Sequence, residues 1–156
     1  MNASPSVLMV CLGNICRSPL AEAALRQAAD KGGFTIDVDS AGTGDWHVGS
    51  APDPRACAVA LDQGGVDIGN LRARQIRKSD FDEFDLILAM DSSNLRDLEA
   101  LRPEGSSATL SLLLDYLPGQ EGQSVADPYY GTYADFEACW LQVQSATQYF
   151  LSMLEQ

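Results

Sequence analysis

Leu86-Ile87-Leu88-Ala89-Met90 is a run of five apolar residues, followed at once by Asp91 and two serines. It limits what this chain can build more than any other feature. A short run with no polar residue on either face belongs to a strand covered on both sides, the habit of parallel sheets. Val7-Leu8-Met9-Val10 is a second such run. Residues 34–38 alternate as another strand, and residues 109–113 read as a fourth. Helical patterns lie between them: residues 19–29, stopped by Lys31-Gly32-Gly33; residues 54–63, stopped by Gly64-Gly65; and a stretch opened by Asp91 that runs to about residue 101. A last helix over residues 135–154 carries Phe136, Cys139, Trp140, Val143, Tyr149 and Phe150 near one face. This alternation predicts an α/β fold in one domain over residues 1–156: a four-stranded parallel twisted sheet with helices on both faces. Ligands of such sheets bind at the carboxyl ends of strands, where Cys11, Ser40 and Asp91 are expected to fall.

The first of these ends holds the chemistry. Cys11 closes the strand, residues 12–18 must turn into a helix, and Arg17 stands where that helix begins. Ser18 is expected at the N-cap and Pro19 at the first helical position. A cysteine at a strand end is ordinarily a small core residue. Gly13 and Asn14, however, permit unusual backbone angles, and such a turn can aim successive amide N–H groups into one concavity. The helix dipole adds to that field. A thiol facing such donors ionises more readily, and the thiolate is the nucleophile. The planar fork of Arg17 suits two oxygens of a tetrahedral anion. The stretch therefore reads as a phosphate-binding loop between strand 1 and helix 1, built for phosphoryl transfer to sulfur. A nucleotide-type G-x-x-x-x-G-K-[ST] loop is absent from the sequence.

A tyrosyl-type leaving group needs a proton. Asp127, in "VADPYYG", is held extended by Pro128 and flanked by Tyr129 and Tyr130, which could wall a slot for an aromatic ring. An Asp-Pro pair otherwise serves as a turn initiator. Trp46 is the expected opposite wall, with partial core burial as its ordinary role. Asp91 is the rival acid, ranked second because a helix-capping aspartate is commonplace.

The formal charge of −12 argues against nucleic-acid or anionic-membrane partners, so any anionic ligand must be held by local cations. The acidic surface favours a monomer. The amino-terminal residues make a poor signal peptide, and no stretch is apolar enough to span a bilayer, so a soluble, cytoplasmic protein is expected. Of the four cysteines only Cys11 and Cys16 are close in sequence, and the single histidine, His47, is far from both, which argues against zinc. A reducing compartment argues against structural disulfides.

"VCLGNICRSPLAEA", "DSAGTGDWHVG", "RARQ" over residues 72–75, "FDLILAMD" and "DPYYG" together resemble the low-molecular-weight protein tyrosine phosphatases, in the family's order and over nearly the whole chain. The resemblance implies hydrolysis of phosphotyrosine in proteins through a cysteinyl phosphate, without metal or organic cofactor, and inhibition by phosphate and other oxyanions. It implies Cys11 as nucleophile, Arg17 as transition-state clamp with the loop of Leu12, Gly13, Asn14, Ile15, Cys16 and Ser18, and Asp127 as acid and then base. Ser18 resembles the hydroxyl that stabilises the thiolate. Asn14 resembles the loop residue held in a left-handed shape, with Ser40 in its support. Ile15, Trp46, Tyr129 and Tyr130 look like pocket walls, and Cys16 like the partner that traps oxidised Cys11 as a reversible disulfide. Packing beneath the loop is the ordinary alternative for Cys16. One departure stands out. Several relatives carry a histidine three residues before an arginine of the RARQ-like segment, where this chain has Leu71, preceded by Asn70. Asn14 is then expected to be braced by Ser40 alone or by water.

Three other readings compete with this one. Arsenate reduction on this fold needs two further, neighbouring cysteines, whereas Cys57 and Cys139 are 82 positions apart. A protein arginine phosphatase of the same family would carry threonine where Ile15 stands, and an apolar Ile15 suits a flat aromatic ring. A non-catalytic phosphotyrosine-binding module would lack the nucleophile or the acid, yet Cys11, Arg17 and Asp127 are all present.

Overall fold

The computed structural model describes residues 4–154; residues 1–3 and 155–156, the two ends of the expected domain, lie outside the described residues. Four strands, β1 (Ser6–Cys11), β2 (Asp37–Gly42), β3 (Leu86–Ala89) and β4 (Thr109–Leu112), form one parallel sheet in the order β2-β1-β3-β4. Among the described residues five α-helices accompany them, α1 (Arg17–Gly32), α2 (Pro54–Gly64), α3 (Asp80–Glu83), α4 (Ser92–Leu101) and α5 (Tyr133–Leu154), with one 3-10 turn over Leu113–Tyr116.

Strand periodicity explains why both apolar runs needed no polar face. Val7, Met9, Leu86 and Leu88 point into a core shared with α1, α2 and α5. Leu8, Val10, Ile87 and Ala89 point to the opposite side, into a second core that includes Phe81 and Leu98. Successive strand side chains face opposite ways, so a central strand with helical layers on both faces must be apolar throughout. At about 25 cal/mol per Å² of apolar area, these two cores supply the main driving force of the fold.

Three sequence expectations move. The second strand starts at Asp37, not at Phe34, and continues through Ser40, Ala41 and Gly42, because it pairs residue for residue with β1 from Ser6↔Asp37 to Cys11↔Gly42. The Phe34 amide instead closes the end of α1 by donating to Ala29 O, with Gly33 at φ 74° supplying the left-handed turn. Ser18 is not the cap of α1. The helix begins at Arg17, Cys16 occupies the cap position without a side-chain bond, and the Ser18 hydroxyl is drawn toward sulfur. Tyr149 lies off the buried face of α5 and is exposed, while Phe136, Cys139, Trp140, Val143 and Phe150 are buried.

Of the cationic residues Arg72, Arg74, Arg77 and Lys78, Arg74 alone is drawn inward, and the other three are exposed. Arg74 bridges Asp39 at 3.1 Å and the fully buried Asp80 at 3.0 Å. Among the described residues no helix is long and apolar enough to cross a membrane.

Candidate active site

The loop between β1 and α1 is held from outside by its carbonyls. Thr43 and Gly44 amides donate to Cys11 O and Leu12 O, each at 2.9 Å, and the Asp53 amide donates to Ile15 O at 2.8 Å. The approach of β2 to the loop is so close that a Cβ on Gly42 would sit 2.7 Å from Leu12 O. With carbonyls turned outward, the Asn14 amide points inward and donates to Cys11 Sγ at 3.3 Å. Asn14 has φ 58° and is the only non-glycine with positive φ among the described residues, in line with the left-handed shape expected of it.

The Asn14 side chain makes this conformation a junction. Its Nδ2 donates to Ser18 Oγ at 2.8 Å and to Ser40 Oγ at 2.9 Å, and its Oδ1 accepts from the Arg74 amide at 3.0 Å. The expectation that Ser40 or water alone would brace it therefore falls short: Ser18 and the Arg74 backbone do so as well. Ser18 Oγ accepts from Asn14 and lies 2.9 Å from Cys11 Sγ; either group can donate while Cys11 is a thiol, and only Ser18 can donate to a thiolate. Ser40 likewise accepts from Asn14 and donates to Glu22 Oε1 at 2.6 Å. Glu22, buried on α1, also pairs with Arg26 at 2.9 Å. Burial outweighs these contacts and raises the Glu22 carboxyl above its usual range.

Arg17 is buried at the mouth of α1. Its Nη1 donates to Asp91 Oδ2 at 2.6 Å and to Val125 O at 3.1 Å, while Nη2 lies 3.7 Å from Asp127 Oδ2. Burial works against its charge, but Cys11, Asp91 and Asp127 prevail and hold the guanidinium more firmly cationic than usual. Asp91, the rival acid, has both oxygens engaged: one on Arg17, the other capping α4 by accepting from the Asn94 amide at 2.7 Å. Asp127 is more open, with its side chain 43% exposed, and Oδ1 accepts from the Tyr129 amide at 3.1 Å. It thus serves the Asp-Pro turn with one oxygen and faces Arg17 with the other.

Arg17 and Asp127, but not Asp91, share one cavity of about 390 Å³, lined by Cys11, Leu12, Gly13, Ile15, Cys16, Arg17, Trp46, His47, Asp127, Tyr129 and Tyr130. Trp46 is an exposed wall, not a core residue, with its ring laid so closely over Gly44 that a Cβ there would touch it at 1.9 Å. Tyr129 and Tyr130 meet edge to face at 4.9 Å between ring centroids. Ser40 stands behind the loop and outside the cavity lining, as support. Cys16 packs into the core beneath the loop while still touching the cavity. Burial first, then the charges of Asp53 and Cys11, push its thiol well up. Cys139 is buried on α5, its thiol raised to about 12 by burial.

Sequence reasoning did not find His47, Glu22, Arg74, Asp53 or Arg55. The one usable signal was position: Trp46 and His47 are adjacent, so a wall at Trp46 carries His47 to the same cavity, where it approaches the Tyr129 ring at 6.4 Å. The other four reach the site only through the fold.

A loop that presents an amide and a buried guanidinium to one cysteine, beneath a carboxylate and two tyrosines, belongs with phosphate-handling thiol enzymes. The sequence matches the family profile "Low molecular weight phosphotyrosine protein phosphatase" over residues 6–156, and the chain belongs to that family. It is 45% identical to the low molecular weight phosphotyrosine protein phosphatase of Schizosaccharomyces pombe, over 99% of both chains. The crystal structure of YfkJ from Bacillus subtilis superposes with a TM-score of 0.89 at 36% identity, covering 99% of this chain and 96% of that one. A Drosophila arginine phosphatase, DARP, superposes equally well, with a TM-score of 0.89 at 37% identity, covering 96% and 98%. Backbone similarity alone therefore does not separate a tyrosine from an arginine phosphatase.

Proposed function

We propose that this chain is a protein tyrosine phosphatase that works through a cysteinyl phosphate, and that residues 1–156 act as one domain. The convergence of Cys11, Arg17 and Asp127 in one cavity walled by Trp46, Tyr129 and Tyr130 carries the reading. Inward amides and the Arg17 guanidinium receive the three non-bridging oxygens of the phosphate, while the ring of the substrate tyrosine lies between the aromatic walls. Cys11 sulfur attacks phosphorus, the S–P bond forms, and the P–O bond to tyrosine breaks. Asp127 gives its proton to the departing phenolate oxygen. In the second step Asp127 takes a proton from water, the water oxygen attacks phosphorus, and the S–P bond breaks to release phosphate and thiolate. Ser18 donates to that sulfur in both thiolate states, and Asn14 holds Ser18 in place. Neither step calls for a metal or an organic cofactor. Phosphate and similar oxyanions compete for the same loop.

Cys16 traps an oxidised Cys11 as a disulfide, a reading supported by both cysteines lining one cavity. The protein acts in the cytoplasm as a monomer on phosphotyrosine-containing proteins, not on nucleic acids or membranes.

Ile15, nearly buried in the cavity wall, offers an apolar surface to a flat ring and no polar partner to a guanidinium. Phosphate release from matched phosphotyrosyl and phosphoarginyl peptides, with Cys11→Ser as the blank, tests the assignment. Preference for phosphotyrosine is expected. Preference for phosphoarginine would leave the cysteine mechanism standing and overturn the substrate.

A further inference from the structure

The phosphate loop and the acid loop come from distant parts of the chain, and Arg55 joins them. It sits in the first turn of α2, whose cap is Asp53. Asp53 holds the guanidinium at two points: Oδ1 accepts from Nε and Oδ2 from Nη2, each at 3.0 Å. The same aspartate carries the amide that donates to Ile15 O in the phosphate loop. On its other edge the guanidinium donates to Tyr129 O at 2.8 Å and to Gly131 O at 3.1 Å, the carbonyls on either side of Tyr130. It is also stacked over Phe136 of α5, 4.5 Å from the ring centroid. The last link is local, since the Tyr129 amide donates to Asp127 Oδ1. The carbonyl gripped by Arg55 and the amide that aims the acid therefore belong to one residue, Tyr129.

We propose that Arg55, oriented by Asp53, is a positioning residue that sets Asp127 at a fixed place relative to the phosphate loop. A planar, bidentate donor suits this task because it holds two carbonyls in a fixed relation. The neighbouring loop residue Tyr130 is 94% exposed, so the segment after buried Pro128 depends on the polar contacts that Arg55 makes. The inference rests on Asp127 being the leaving-group acid.

The experiment is a series of aryl phosphates whose leaving phenols range from nitrophenol to phenol, with kcat/KM measured for wild type, Arg55→Met, Asp53→Asn, Asp127→Asn and the double variant Arg55→Met/Asp127→Asn. Vanadate affinity is measured alongside, as a report on the phosphate loop. Arg55→Met keeps the stem over Phe136 and removes every donor. Its kcat/KM is expected to fall about tenfold more for phenyl phosphate than for nitrophenyl phosphate, with vanadate affinity within about a factor of two of wild type. Asp53→Asn should tilt the series the same way by less, and it carries the test if Arg55→Met does not fold. On the Asp127→Asn background, Arg55→Met should add almost nothing to the leaving-group dependence. A uniform loss across the series, or an undiminished extra loss on that background, overturns the proposal. If Asp127→Asn itself lowers all substrates equally, the acid assignment fails instead, and that result is read separately.

Discussion

The two halves of the cavity are built on opposite terms. On the Cys11 side, Asn14, Arg17, Ser18, Glu22 and Ser40 are all nearly inaccessible, and Glu22, Ser40, Asn14 and Ser18 form a continuous hydrogen-bonded chain that ends at Cys11 sulfur. On the Asp127 side, Asp127 and Tyr130 are exposed, and the segment is held by buried Pro128 and by Arg55 at two carbonyls. The difference follows from what each half must recognise. A phosphate is the same in every substrate, and donors fixed before it arrives cost no reorganisation. The leaving group comes attached to varied polypeptides, so the surface around it has to stay open.

This contrast gives an order of sensitivity. Cys11→Ser should remove turnover by more than about a thousandfold while phosphate still binds; steady-state assays paired with a phosphate-binding titration check both halves of the statement. Asp127→Ala should lower kcat/KM for phenolic leaving groups by about a hundredfold or more and for nitrophenyl phosphate far less. Equal losses would hand the proton to another group, with Asp91 tested next.

Asn14 separates shape from bonding. Alanine at φ 58° meets a left-handed penalty of roughly 1–2 kcal/mol and also strands Ser18, Ser40 and the Arg74 amide. Glycine keeps the shape and loses only the bonds. Denaturant unfolding is expected to rank wild type above Asn14→Gly above Asn14→Ala, and both variants should lose about tenfold in kcat. A glycine variant with full activity would show that backbone shape alone carries the loop.

Redox behaviour probes the junction beneath the loop. Peroxide is expected to inactivate the protein reversibly, and Cys16→Ser should slow recovery by thiols. Timed recovery after dithiothreitol addition measures this, and equal recovery would leave Cys16 as packing alone.

What could be read in advance follows the same divide. Cys11, Arg17 and Ser18 lie within eight residues, and a strand end, a turn and a helix start fix their relation locally. The apolar runs of β1 and β3 announced buried central strands for the same reason. β2 was misplaced because Ser40, Ala41 and Gly42 have poor strand character alone and are strand only by pairing with Met9, Val10 and Cys11. Arg74, Asp53 and Arg55 look like ordinary surface charges in the sequence. They gain meaning when the fold sets Arg74 beside Asn14, 60 positions away, and Arg55 beside Tyr129, 74 positions away. Asp91 shows the same limit: its capping role was visible, but its bond to Arg17 was not.

The smallest effect belongs to Glu22, at the far end of the buried chain. Burial raises its carboxyl in the folded state, so the folded protein holds that proton more tightly than the unfolded chain does. By linkage, the stability that comes from this group is fully present below the ordinary glutamate range, near pH 4.3. It is lost as pH rises through the raised value. Glu22→Gln removes the titration and keeps an oxygen to accept from Ser40. Unfolding free energy measured from about pH 4 to 7 should therefore fall less steeply, or rise more steeply, in Glu22→Gln than in wild type. Parallel curves would mean that Arg26 and Ser40 fully offset the burial of the charge, and that the chain behind Asn14 is as well balanced at neutral pH as it is in acid.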